Sequence, residues 1–257
     1  MIGIVSHWGH FFVDTIDRIF CINNKSNLVF SDINFFKTFQ NDIDKNYCVK
    51  QIGELLTFLS IDIDKNLKLI LEKDKFYEFN KINMITLSSK KPSISEAIYQ
   101  KIQDLVIKKN INDKGDLLYV GRNDVTKRRV INQDQVISLI KNIGGKAIFP
   151  ENDNLTTSIK NFHSSSKIIL IIGSTMFNLV FCKKGTHIVC IVPHNYSNEP
   201  MNSLAMLRHM CVALNLILDV YEVESSGSHV NLLNNDLILK DNDILNINQL
   251  FKKTQLI

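Results

Sequence analysis

The sequence predicts an α/β protein built on parallel sheets, and three observations predict it. Short apolar runs alternate with helix-period segments from Asp116 to Val223. One of those runs, Ile168-Ile169-Leu170-Ile171-Ile172, is continuous instead of alternating, as in a strand buried on both faces. The chain has 257 residues, 45% hydrophobic and 22% charged, which allows a sizeable core and excludes a disordered composition. That length fits one large or two small domains.

The first half is the less regular. Gly9 to Ile22 reads as a helix with Phe12, Ile16, Ile19 and Phe20 on one stripe, and Leu28-Val29-Phe30 as a strand. Helical patterns follow near 33–40 and 49–60, and strands at Leu67 to Leu71 and Ile82 to Leu87. Ser93 to Lys108 is a helix, with Ser93 as N-cap and Glu96 completing a capping box. The polar stretch Asn110 to Gly115 reads as a linker, which divides the chain into domains over 1–112 and 113–257.

The second half alternates regularly. Asp116 to Val120 is a strand, and Gln133 to Ile143 a helix ended by Gly144-Gly145. Ala147 to Phe149 is a strand closed by Pro150, Leu155 to His163 a helix, and Ile168 to Ile172 the buried strand. Ser174 to Lys183 reads as a helix, His187 to Val192 as a strand, Leu204 to Leu216 as a helix and Leu218 to Val223 as a last strand. A C-terminal helix over Asp243 to Lys253 is expected to pack back across the first domain. Right-handed βαβ crossovers make this a doubly wound domain, with its ligand crevice at the carboxyl ends of the strands.

The net charge of +4 suits an anionic ligand and is too weak to point to nucleic acid. The five cysteines contain no C-x-x-C pair and read as buried reduced thiols of a cytosolic protein. No signal-peptide pattern opens the chain, and no apolar run is long enough to span a bilayer. Peripheral membrane contact, a partner subunit or a homo-oligomer remain open.

Three constellations carry chemistry. Arg122, Arg128 and Arg129 follow a strand end, so that Arg122 and one of Arg128 or Arg129 can face a bound anion, where guanidinium forks match phosphate oxygens. A solvated basic loop is an equally weighted reading. Gly173-Ser174-Thr175, with Asn178 a turn later, joins a buried strand to a helix N-terminus, whose free amides attract anions. A plain capped turn has the same appearance. His10 and Asp14 stand i, i+4 on the first helix, the spacing of an imidazole–carboxylate general base, though physics alone favours a capped helix start with a surface ion pair. No Walker loop, G-x-G-x-x-G or G-x-S-x-G motif occurs, and Asp62-Ile63-Asp64 reads as a turn, so no metal site is expected.

Together these pieces resemble glycosyltransferase family 61, which includes bacterial capsule and lipopolysaccharide transferases and eukaryotic xylosyl- and N-acetylglucosaminyltransferases. The matching segments are Gly9-His10-Phe11-Phe12-Val13-Asp14, Tyr119 to Arg122 with Arg128-Arg129-Val130-Ile131-Asn132, Pro150-Glu151, and Gly173 with Asn178 and Phe181. Three positions depart from the family pattern: Ile172 stands for a histidine, Ser158 for a frequent glutamine, and Cys190-Ile191 where an acidic residue is usual.

The resemblance implies a GT-B-like fold of two Rossmann-like α/β domains, the first small or truncated. It implies an inverting, metal-independent transferase acting on a nucleotide-sugar donor and a glycan acceptor of a capsule, lipopolysaccharide or related surface polysaccharide. It requires no cofactor, the nucleotide sugar being the donor substrate, and it is compatible with the cytoplasmic location read from the cysteines, with the inner face of the membrane as an option. It makes Asp14 or His10 the catalytic base. Arg122, Arg128, Arg129, Asn132, Gly173, Ser174, Thr175 and Asn178 become the donor site. The departures leave a second reading open, a catalytically degenerate relative that binds a sugar nucleotide, a glycan or a subunit.

Overall fold

The computed structural model describes residues 28–30, 54–55, 57–59, 67–70, 96–109, 115–122, 128–196, 203–226 and 235–253. The chain divides into two compact units, Met1–Leu105 and Val106–Ile257. The expected helix at Gly9 to Ile22, the pattern at 33–40, the strand at Ile82 to Leu87 and the Ser93 cap lie outside the described residues, as do His10 and Asp14.

In the first unit, β1 (Leu28–Phe30) and β2 (Leu67–Ile70) pair in parallel, with Val29 opposite Leu69. A helical turn near residue 57 buries Leu55, Phe58 and Leu59, a spacing that puts all three on one face. Helix α1 (Glu96–Lys108) buries Tyr99, Ile102 and Val106, again a single stripe.

The second unit is a mixed α/β layer structure around a six-stranded, mostly parallel sheet. Its strands are β3 (Gly115–Val120), β4 (Lys146–Ile148), β5 (Ser165–Ile171), β6 (His187–Pro193), β7 (Ile217–Ser226) and β8 (Asp236–Ile238). Their spatial order is β4-β3-β5-β6-β7-β8. All neighbours are parallel except β7 and β8. The helices between them are α2 (Gln133–Asn142), α3 (Leu155–Ser164) and α4 (Ser203–Ala213), with 3₁₀ helices over Pro150–Asn152 and Ser174–Phe181, and α5 (Asp241–Lys253) follows β8.

The continuous apolar runs explain this arrangement. Residues of one parity, Leu117, Tyr119, Ile169, Ile171, Val189 and Ile191, pack with Val136 and Ile140 of α2 and with Ile244, Ile247 and Phe251 of α5. Residues of the other parity, Leu118, Val120, Ile168, Leu170, Ile188 and Cys190, are equally buried. The sheet is therefore covered on both faces, as parallel sheets require. Leu204, Leu207, Met210 and Cys211 of α4 are buried too, and none of them belongs to the cluster on the first face. Burial pushes the Cys182, Cys190 and Cys211 thiols up, so all three are inert free thiols.

Helix α5 packs on the sheet of its own unit through Ile244, Ile247 and Phe251. One expectation is corrected here, the α-helix after Gly173. The segment after Gly173 is 3₁₀ instead of α-helical, with every residue from Met176 to Phe181 buried. A segment that is apolar all round follows the cavity it fills more than its intrinsic preference. No helix among the described residues is long and apolar enough to cross a membrane.

The strand order contains one reversal. From β3 the chain moves to β4 on one side, then crosses back to β5 on the other. In an open parallel sheet the loops part at such a point, leaving a crevice outside the carboxyl ends of β3 and β5.

Candidate functional site

Both strands flanking that crevice end on glycine. After β3, the Gly121 amide donates to the Ile148 carbonyl at 2.9 Å, continuing the sheet by one residue. A Cβ on Gly121 would stand 2.5 Å from Phe149 Cε1, so any larger residue would force that half-buried ring to move. Arg122 comes next, its amide held at 3.4 Å from Gln133 Oε1 at the start of α2. After β5, Gly173 has φ 158° and ψ −168°, a region that essentially glycine alone occupies.

Arg128 enters from a different direction. The curl of the sheet brings the edge strand β8 beside the segment that follows β3, where Val130 bridges Leu237. Leu237 N–H donates to the Arg129 carbonyl at 2.7 Å, and Ile131 N–H donates to the Leu237 carbonyl at 2.9 Å. Asp236 accepts from the Arg129 amide at 2.9 Å, and from Nε at 3.0 Å and Nη2 at 2.6 Å of the same side chain. With Arg129 fixed on both edges, Arg128 is held in the left-handed region at φ 57°, a costly conformation for a non-glycine residue.

The two guanidinium groups meet at Gly173. A Cβ on that residue would stand 3.4 Å from Arg122 Nη1 and 3.7 Å from both Cζ and Nη1 of Arg128. Two like charges thus converge on bare backbone. Arg122 Nη1 and Arg128 Nε are each buried without a hydrogen-bond partner. A buried donor left unpaired costs roughly 1–3 kcal/mol, and more when charged. Burial, and next the repulsion of Arg128, push the Arg122 guanidinium down to about 10, with Glu151 partly offsetting them. Burial also lowers Arg128, against a smaller opposite effect of Tyr196. An anion in front of Gly173 would pair both free donors and remove the repulsion.

The remaining sequence-derived site residues divide around this centre. Ser174 and Thr175 open the 3₁₀ helix, where first-turn amides have no partner inside the helix, and Asn178 is buried one turn on. Arg129 is bound into the Asp236 ion pair, which holds its side chain above the ordinary arginine range. Asn132 is bound to the backbone of Leu239, donating to its carbonyl at 2.6 Å and accepting from its amide at 3.2 Å. Both tie the segment after β3 to β8. His163 and His187, also buried, have structural partners: the Phe181 carbonyl at 3.1 Å and Asp219 at 2.7 Å.

Gln133, Glu151 and Tyr196 are neighbours of the two arginines that sequence reasoning did not select as site residues. Pro150-Glu151 was the only trace of them, as a matched dipeptide. Tyr196 and Gln133 lie on separate elements, and only the fold brings them to the arginines.

No curated protein matches the chain. The family model described as Glycosyltransferase 61 matches residues 8–189, more than half of the chain, and includes β3, both arginines and Gly173. The chain belongs to the glycosyltransferase 61 family.

Proposed function

We propose that this glycosyltransferase moves a sugar from a nucleotide-sugar donor to a hydroxyl of a glycan acceptor, and that the donor diphosphate sits before Gly173 between Arg122 and Arg128. The observation that carries this reading is the pair of buried, unpartnered guanidinium donors converging on a residue without a side chain. The two cations would neutralise the leaving diphosphate, work that a divalent ion does in other transferases. First-turn amides at Ser174 and Thr175 add donors at the same edge. In this reading the two domains follow a GT-B plan, with residues 113–257 on the donor side and 1–112 on the acceptor side. Asp14, or His10 oriented by it, takes the acceptor proton, transfer inverts the anomeric centre, and the product is a surface polysaccharide made at the cytoplasmic face of the membrane.

A screen of common nucleotide sugars for slow donor hydrolysis tests the activity. Asp14→Asn is expected to keep donor affinity and lower turnover by about 10²–10⁴-fold, the contribution of a general base. Unchanged turnover would place the base elsewhere. Arg129→Ala is expected to keep donor affinity within about threefold, because an exposed ion pair contributes little and the main-chain bonds of residue 129 to β8 survive. Calorimetry that showed a loss matching that of an Arg128 variant would put Arg129 in the seat itself.

A second reading, a relative that binds donor without transferring sugar, is favoured by Ile172. This residue is fully buried at the end of β5, where the family resemblance expects histidine. Donor binding with no hydrolysis and no transfer to any glycan acceptor would support it.

A further inference from the structure

The end of the sheet opposite the crevice, where the parallel strands begin, carries a surface that the donor site does not use. The chain enters β6 through the turn Lys183-Lys184-Gly185 and enters β7 through the turn that follows α4. Hydrogen bonds tie the two turns together. The Gly185 amide donates to the Asn215 carbonyl at 2.8 Å, and the Ile217 amide to the Thr186 carbonyl at 3.1 Å. Gly185 at φ 81° and Asn215 at φ 54° are both left-handed, which makes the turns tight. Strand β6 is seven residues long, so roughly 20 Å of sheet separates these turns from the crevice.

The joined turns present apolar and cationic side chains together. Val212, in the last turn of α4, is 82% exposed, and Ile217, which opens β7, is 41% exposed. A single exposed aliphatic residue needs no explanation, but two on joined turns make a patch. Lys183 and Lys184 are exposed in the neighbouring turn. Arg208 is exposed one turn before Val212, at the i, i+4 spacing that puts both on one face of α4. Neither residues 174–187 nor residues 203–218 contain an acidic side chain. The first carboxylate beyond them, Asp219, is bound to His187 Nε2 at 2.7 Å.

We propose that this surface docks on an anionic lipid bilayer, with Lys183, Lys184 and Arg208 against the headgroups and Val212 and Ile217 entering the acyl boundary. Charge complementarity selects that occupant. A second copy of the chain is disfavoured, because a two-fold contact would set the same cations against each other with no carboxylate between them. The phosphates of a nucleic acid would satisfy the cations and leave the two aliphatic side chains in water. A bilayer of anionic lipid satisfies both, since its charged surface attracts basic residues and its interface takes up apolar ones. Docking by the amino edge leaves the carboxyl edge, with Arg122, Arg128 and Gly173, facing away from the lipid and open to a water-soluble donor.

Co-sedimentation of the whole chain with vesicles tests this. Binding is expected to phosphatidylcholine vesicles containing phosphatidylserine, to weaken as salt is raised, and to be absent with phosphatidylcholine alone. Each basic residue near such a surface is worth about fivefold in affinity, so the Lys183→Ala, Lys184→Ala double variant should bind about 25-fold more weakly. Val212→Ser should cost about fivefold through lost apolar burial. All of these side chains are exposed, so thermal unfolding should match the wild type. Removing the same charge from α1, with Lys101→Ala and Lys108→Ala, should change binding by less than about twofold, because those residues lie outside the patch. Failure of the wild type to bind, equal binding to neutral vesicles, or an equal loss in the α1 control overturns the proposal. So does binding that ignores Val212→Ser, or binding to a nucleic acid or an acidic protein in place of vesicles. The donor reading is separately readable, since pyrophosphate affinity should be unchanged in every one of these variants.

Discussion

Arg122→Met will weaken nucleoside diphosphate binding by about 100-fold while leaving the ligand-free protein as stable as before or more stable. Removing one buried charged hydrogen-bonding group costs a ligand roughly 1.5–3 kcal/mol. In the ligand-free state the same group is a liability. Its Nη1 is buried without a partner, and its charge faces Arg128. Methionine keeps the length of the side chain and removes both penalties, so thermal unfolding should report a gain of about 1 kcal/mol. The opposite signs make the test specific. An arginine retained for structure would lose stability on replacement, and one irrelevant to the ligand would leave calorimetric affinity unchanged. Loss of both together would mean that Arg122 supports the fold.

Gly173→Ala is expected to lose both quantities. The backbone there, at φ 158°, lies where an L side chain is strained by about 1–3 kcal/mol. For a unit of this size each kcal/mol lowers the melting temperature by about 2–4 °C. The new methyl would also occupy the space 3.4 Å from Arg122 Nη1 and 3.7 Å from Arg128, where the account seats a phosphate. Diphosphate affinity should fall more than tenfold, even at temperatures where the variant is fully folded. An alanine variant with wild-type affinity would show that no ligand approaches this stretch of backbone.

Much of the second unit was legible because its strands are buried on both faces. Ile168 to Ile172 and His187 to Val192 are continuous apolar runs, and such runs have few alternatives to a central parallel strand. The strand ends then located the crevice, so Arg122 and Gly173 could be singled out from sequence. Features fixed by distant pairing were not legible. Strand β8 has three residues in a polar stretch, and it exists through hydrogen bonds to β7 and to the segment after β3. That pairing also decides between adjacent arginines. Asp236 lies 107 residues from Arg129 and claims its side chain, leaving Arg128 to turn toward Gly173. Nothing local in Lys127-Arg128-Arg129 carries that choice.

The most direct measurement is a calorimetric titration of pyrophosphate into the wild-type chain and into the Arg122→Met, Arg128→Met double variant, with thermal unfolding run on both. One binding site in the wild type and none in an equally well folded double variant is the predicted result. Equal binding by both proteins would contradict the account, because the anion would then be held by something other than the two guanidinium groups at Gly173.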